Sequence, residues 1–547
     1  MENNRIKSVA VIGAGASGLP SIKACVEEGF HVVCYEKTNH VGGLWRYRDE
    51  DVEGLASVAR STIINSSKEI TAFSDFPPPK HFPNYMHNSM MIKYLELYAQ
   101  KFELVQYIKF RHEVSSVTPS DDYESTGRWK IRVKDLLNGV ELEEVFDAVM
   151  VCNGHHVYPL RPTFPGEDEF EGRIIHTHSY KKPNGYDDKK VLVVGVGNSG
   201  GDAAVELSSV ASKVYLSTRR GCWIIHRVGT NGLPFDSLYL SRFWNVLSHV
   251  IPLNIRNFLT ERMINERFNH ELYQLKPKHR ILSQHPMVND SLPNRILSGT
   301  VVVKGPIERF VRNGVVFEGE DFVTEVDEVV LATGYKIKFP FLSKDIITVE
   351  ENKVQLYKYI IPSQLKHRSL GIIGLIQIVG GFFPISEIQA RWYARVLAGE
   401  VDLPSTQDMY WDIEHKSEMM NKRYFGGPRH TIQVDYVDYL DEMSSMIGAK
   451  PDISKMFFSD FPLFWACFMG PNLPYQYRLQ GPHAWKDARR AILGYKERVE
   501  SPLKTRHNSP ERREENDIFK NIFGIEEKWV KLSLLFVINK VLDTLIF

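Results

Sequence analysis

At 547 residues, 43% hydrophobic and 24% charged, the chain has the composition of an ordinary folded protein and exceeds what one hydrophobic core supports, so about two to four domains are expected. Its 67 basic and 67 acidic side chains cancel, which leaves no bulk field for nucleic acid and excludes it as an expected partner. The five cysteines, Cys25, Cys34, Cys152, Cys222 and Cys467, are scattered with no CxxC pair and no metal-ligand spacing; no disulfide framework and no metal are expected, and a reducing compartment fits.

No cleavable signal precedes the first element, an apolar run that begins at Ser8 and ends in a glycine-rich turn, SVAVIGAGASG. Gly13, Gly15 and Gly18 form GxGxxG, a helix-length segment follows, and HVVCYE reads as the next strand. Glycine is needed because the strand must turn sharply, because a Cβ would hold the backbone off a pyrophosphate, and because the next helix must pack closely with its N–H groups toward the anion. Further on, VLVVGVGNSG repeats the pattern with Gly195, Gly197 and Gly200, and KVYLST is its second strand. Strand, turn, helix and strand agree twice, so the expected fold is α/β with two Rossmann-like dinucleotide-binding domains.

The two copies differ at the end of the second strand, where the adenosine ribose is read. In the first this residue is Glu36, a carboxylate that accepts from a ribose diol and repels a 2′-phosphate. In the second it is Thr218, followed by Arg219 and Arg220, and a guanidinium can clamp that phosphate; for Arg220 a surface salt bridge is the alternative. FAD is therefore expected at the first copy and NADPH at the second. Flavin disulfide reductases share this double plan but need a close cysteine pair, and none exists here.

FDAVMVCNG (146–154) and VDEVVLATG (326–334) both read as a buried strand ending in glycine, the exit points of the two units. The division expected is an FAD domain over 1–155 that resumes at 331–445, with an NADPH domain, 156–330, inserted in it. Within the insertion, 228–297 lacks the βαβ rhythm and reads as a helical excursion covering the substrate entrance. A C-terminal helical region, 446–527, follows. The chain finishes in WVKLSLLFVINKVLDTLIF, where Ser533, Asn539, Lys540, Asp543 and Thr544 share one helical arc opposite Leu534, Leu535, Ile538, Val541, Leu542 and Leu545. Lys540 and Asp543 make a membrane span costly, so 528–547 reads as a membrane-associating helix in the interface, with docking on the protein itself as the alternative.

Between the nucleotide units lies FEGRIIHTHSY, whose Phe170, Gly172, His176 and Tyr180 spacing resembles the FxGxxxHxxx(Y/F) fingerprint of flavin-containing monooxygenases; related Baeyer-Villiger enzymes usually end the pattern in Trp. GGLW (42–45), INSSKE (64–69), SDFP (74–77), GNSGGD (197–202), STRRG (217–221), LATGY (331–335) and EIQARW (387–392) extend the likeness over nearly the whole chain. It is similar to the vertebrate microsomal members of that family, with the isoform-five branch nearest. The resemblance implies a flavin that takes hydride from NADPH, binds O2 at C4a and holds a hydroperoxide until a small-molecule substrate arrives, so the protein positions groups and excludes water. It also implies an endoplasmic-reticulum (microsomal) location with a cytosol-facing site, and leaves homo-oligomerisation open.

For the FAD cradle the resemblance implies Gly13, Gly15, Ser17, Gly18 and Glu36, continued by Gly42, Gly43, Leu44 and Trp45. For NADPH it implies Gly195, Gly197, Asn198, Ser199, Gly200 and Asp202, with Thr218 and Arg219 at the 2′-phosphate and Gln377 near the nicotinamide. Asn65, with Ser66 beside it, matches the amide placed against flavin and nicotinamide, a neutral group that both donates and accepts; by itself an Asn before Ser-Ser is a turn or helix cap. His285, in LSQHP, matches the isoform-five branch and is the candidate substrate contact. His176 is read as structural, and His155 and His156 carry no assigned role. An electrophilic oxidant would oxygenate amines and sulfides, and a nucleophilic one would convert ketones to esters or lactones. The second is favoured; N- or S-oxygenation, an uncoupled NADPH oxidase releasing H2O2 and a non-catalytic nucleotide-binding scaffold are the alternatives.

Overall fold

The computed structural model describes residues 6–424 and 431–506. Its first layer is a five-stranded parallel sheet in the order Leu370–Ile372, Ala148–Val151, Ser8–Ile12, His31–Glu36, Ile108–Phe110. SVAVI and AVMV are almost wholly buried, as strands covered on both faces must be. On one side lies the helix Gly18–Glu27, packed on the buried helix Phe382–Leu397. A three-stranded antiparallel sheet, His112–Pro119, Trp129–Asp135 and Glu141–Phe146, shares its core through Trp129, Ile131 and Val133.

A second parallel sheet runs Val301–Lys304, Lys213–Ser217, Lys190–Val194, Glu328–Leu331, Arg173–His176. All of its strands fall between Ala148–Val151 and Leu370–Ile372 of the first sheet, so the second nucleotide unit is threaded into the first. The chain crosses at Gly154 and Gly334, whose φ values of 71° and 90° ask for glycine although a Cβ would meet nothing within 4 Å. Beyond these glycines the two crossings pair as a short antiparallel ribbon, Tyr158–Pro159 with Tyr335–Lys336.

The excursion in 228–297 contains the helices Phe235–Tyr239, Arg242–Val250, Leu253–Asn265 and Leu292–Leu297. It returns through Met287–Val288, which pairs in parallel with Ile224–Ile225. The last described helices are tied to the first unit by buried charge: Arg498 Nε lies 2.9 Å from both carboxylate oxygens of Glu69, which also accepts from Tyr475 Oη at 2.7 Å. Separating such a pair would leave an uncompensated buried charge. The amphipathic segment 528–547 lies outside the described residues, and among these no helix is long and apolar enough to cross a membrane.

Candidate functional site

Both glycine turns are built alike. Gly13 N donates to Tyr35 O at 2.8 Å and Gly195 N to Ser217 O at 3.0 Å, so each turn is pinned to its neighbouring strand. A Cβ on Gly13 would come within 2.8 Å of Cys152 O, and one on Gly195 within 2.5 Å of Ala332 O. On Gly18 it would sit 1.8 Å from Gly13 O, and on Gly200 2.0 Å from Gly195 O. Gly18 and Gly200 thus meet the demand for close helix packing that the glycine pattern implied. The middle glycines behave differently: a Cβ would meet nothing nearer than Gly43 Cα, at 3.6 Å, from Gly15 and nothing within 4 Å from Gly197. Only there does the backbone open onto space, as a pyrophosphate cradle requires.

That space is one cavity of about 940 Å³ reached by both turns, at the upper end of the range for small-molecule sites. Gly13, Gly15, Ser17, Glu36, Gly43, Leu44, Trp45, Asn65 and Ser66 line it from the first unit, and Gly197, Asn198, Ser199 and Asp202 from the second. Gln377 and His285 complete the wall. Gly42 N donates to Ala14 O at 3.0 Å, which hangs the GGLW segment on the first turn. Glu36, only 7% exposed, accepts from Ala14 N at 2.8 Å with one oxygen and from Thr38 N and Oγ1, at 2.8 and 2.7 Å, with the other. Its remaining lone pairs suit a ribose diol.

Thr218 and Arg219 stand off this wall. Thr218 Oγ1 accepts from Gly221 N at 2.9 Å and closes the turn, while Arg219 is exposed and makes no hydrogen bond or ion pair among the described residues, free for a phosphate. On the helix Asn198–Leu207 that follows the second glycine turn, Asn198 Oδ1 accepts from Val288 N at 2.8 Å. Burial pushes the Asp202 carboxyl up to about 6, and Asn289 Nδ2 donates to it at 3.0 Å.

The Asn65 amide is neutral, as the sequence indicates, and a charged neighbour holds one end of it. Its Oδ1 accepts from Arg227 Nη2 at 2.6 Å, which leaves the Nδ2 as the free half of the amide. The same guanidinium donates to Ile64 O at 3.2 Å and pairs with Asp290 at 3.1 Å. Tyr85 Oη donates to Arg227 O at 2.7 Å, and Asp236 Oδ2 accepts from Ser67 N at 2.6 Å. The INSSKE loop is thus held by the excursion of the other unit. No spacing in the sequence marks Arg227 or Asp236, because each acts across a separation of more than a hundred residues.

His285 lines the cavity, but its Nδ1 and Nε2 lie 3.0 Å from Pro286 O and Ile378 O. Both nitrogens face backbone carbonyls, and a neutral ring, with one N–H, donates to one of the two. His155 and His156, ring centroids 4.3 Å apart, also face the cavity, and burial pushes both down, His156 to about 4. Among the described residues no group of three or more His, Cys, Asp or Glu is placed to hold a metal ion.

A family model described as flavin-binding monooxygenase-like matches residues 6–538. Human flavin-containing monooxygenase 5 is 46% identical over 502 residues, 91% of this chain and 94% of that protein. Human flavin-containing monooxygenase 2 is 44% identical over the same shares. Among solved structures, S-allyl-L-cysteine S-oxygenase from Allium sativum superposes with a TM-score of 0.63 at 23% identity, covering 91% of this chain and 99% of that one. An epsilon-caprolactone-bound cyclohexanone monooxygenase does so with a TM-score of 0.58 at 16% identity, covering 81% and 97%. At such identities these two likenesses establish the fold.

Proposed function

This chain belongs to the flavin-binding monooxygenase-like family, and on that premise we propose that it is an NADPH- and O2-dependent monooxygenase of small molecules in which Baeyer-Villiger oxidation of ketones takes precedence. Members of the family bind FAD and use NADPH, and this chain is a flavin-dependent oxidoreductase acting on a small molecule and O2. The proposed arrangement puts FAD at Gly13, Gly15, Ser17 and Glu36. NADPH lies at Gly197, Asn198 and Ser199 with its 2′-phosphate at Arg219. What supports it is the single cavity into which both turns open, with Asn65 on its wall. When bound, reduced flavin supplies the oxidising equivalent from O2; the protein holds the two nucleotides, orients an amide and excludes water.

The preference for ketones is favoured by Arg227. Its guanidinium holds Asn65 Oδ1 at 2.6 Å and leaves the Nδ2 donor for the cavity that Asn65 lines, where a donor would favour negative charge on a reacting oxygen; an anionic oxygen attacks a carbonyl carbon, whereas a neutral one is attacked by amines and sulfides. The second reading, N- or S-oxygenation, is favoured by Tyr180 at the end of the fingerprint in place of Trp. One ketone and one thioether, followed by NADPH consumption, peroxide release and product mass, test the choice; sulfoxide without ester overturns the preference, and peroxide alone marks an uncoupled oxidase. The amphipathic 528–547 segment supports attachment to the microsomal membrane of the endoplasmic reticulum with the site toward the cytosol, tested by the fractionation of a chain lacking it.

A further inference from the structure

We propose that Arg48 is a contact for the AMP half of FAD, carried on the inner face of a strap, residues 46–60, that the fingerprint segment clasps over the cavity; this rests on the assignment of FAD to the first turn. The strap borders the cavity through Arg48 and residues 54–59. It has little regular structure of its own, and its position is set by the segment after the fingerprint strand. His178 Nε2 lies 2.8 Å from Leu55 O, and His178 Nδ1 lies 2.9 Å from Asp51 Oδ1. Arg60 N donates to Lys181 O at 2.8 Å, and Lys182 Nζ pairs with Asp49 at 2.6 Å.

Two permanently cationic side chains line the cavity among the described residues, Lys37 and Arg48. Lys37 Nζ is paired with Glu113 at 2.7 Å. Arg48 is half-buried and has no ion pair; its hydrogen bonds are two long ones, from Nη1 to Arg46 O and Ala56 O at 3.4 Å each. Burial pushes this guanidinium down, and the carboxylate whose field opposes that is Glu36, whose oxygens are held by Ala14 and Thr38. A half-buried guanidinium with most of its donors unspent is costly unless an anion meets it. In the reading above Glu36 takes the adenosine ribose of FAD, so the anion that arrives beside Arg48 is the adjoining phosphate, which a planar fork binds better than an ammonium.

Apoprotein reconstitution tests this with FAD and with FMN, which lacks the AMP half, as probes, reading flavin fluorescence. R48Q is expected to raise the FAD Kd about 10- to 100-fold, with a shallower salt dependence, and to leave the FMN Kd within twofold of wild type. R48K, which keeps the charge and loses the fork, is expected to fall between. The proposal is overturned if R48Q binds FAD within twofold of wild type, or if FAD and FMN weaken equally. Where R48Q gives no folded protein, the same comparison on R48K decides: weakening confined to FAD supports the contact, and equal values overturn it. A wild-type chain that takes up FMN and FAD alike, with E36Q changing neither, fails at the FAD assignment instead and removes the proposal with it.

Discussion

Replacing Arg227 with Ala removes the group that fixes the Asn65 amide. The guanidinium side chain is 12% exposed and makes bonds of 2.6 Å to Asn65 Oδ1 and 3.2 Å to Ile64 O, besides the 3.1 Å pair with Asp290. A charge-assisted bond of this kind contributes about 1.5–3 kcal/mol, so freeing the amide costs roughly 10- to 100-fold in any step that needs it oriented. Arg227 is absent from the cavity wall, so FAD content is expected to be unchanged. The assay is product and peroxide formed per NADPH at saturating substrate: R227A is expected to shift the yield from product toward peroxide. If Arg227 acts through Asn65, adding R227A to N65A costs little more, because the amide it positions is already gone. Losses that multiply in the double variant, or an unchanged product yield in R227A, refute the reasoning.

Exchanging Arg219 for Glu places a carboxylate where the 2′-phosphate is expected, and should lower kcat/KM for NADPH at least tenfold while sparing NADH; an unchanged preference contradicts the assignment. Gly200→Ala drives a methyl to 2.0 Å from Gly195 O, so helix and strand must part, at about 1–3 kcal/mol or more, and the melting temperature should fall. Gly197→Ala meets no protein atom within 4 Å, so it should melt like wild type yet lose NADP+ affinity; a reversal of this pair contradicts the cradle geometry. Burial lifts the Asp202 carboxyl from 3.8 to about 6, so the folded chain holds this proton longer than the unfolded one, and stability is lost as pH rises from about 4 to about 6. D202N keeps the acceptor for Asn289 Nδ2 and should remove up to about 3 kcal/mol of that decline in urea unfolding of the apoprotein; parallel pH profiles for the two proteins would show the carboxyl to be unperturbed.

Features written in local chemistry are legible in the sequence. The glycine turns, the acid-to-base change from Glu36 to Thr218 and Arg219, and the buried exit strands are each set by a few adjacent residues, and the two parallel sheets form around them. Features created by contact between distant segments were not legible. Arg227 reaches Asn65, Asp236 reaches Ser67 and Arg498 reaches Glu69 only once the units are docked. The demands on the glycines were legible as a set, a sharp turn, an open approach and close helix packing, while which glycine meets which demand is settled by where Gly13 O, Gly195 O and Gly43 lie.

The fingerprint shows why a spacing can identify a family without containing a catalytic group. Phe170 packs edge-on to Phe310 with centroids 5.3 Å apart, and Gly172 leaves room for that ring and for Asp327 O, which a Cβ would approach to 2.3 Å. His176 ends the edge strand of the second sheet, opposite Leu331. Burial pushes it down to about 4, so the neutral ring can accept from His178 N at 3.0 Å and turn the chain. That turn sends His178 back to the strap at Asp51 and Leu55, and sends Tyr180 Oη to Glu206 on the helix Asn198–Leu207 at 2.9 Å. Within five residues the segment thus grips both nucleotide units, and each position in the pattern makes a packing or hydrogen-bonding contact. The pattern therefore constrains how the two nucleotide units face one another.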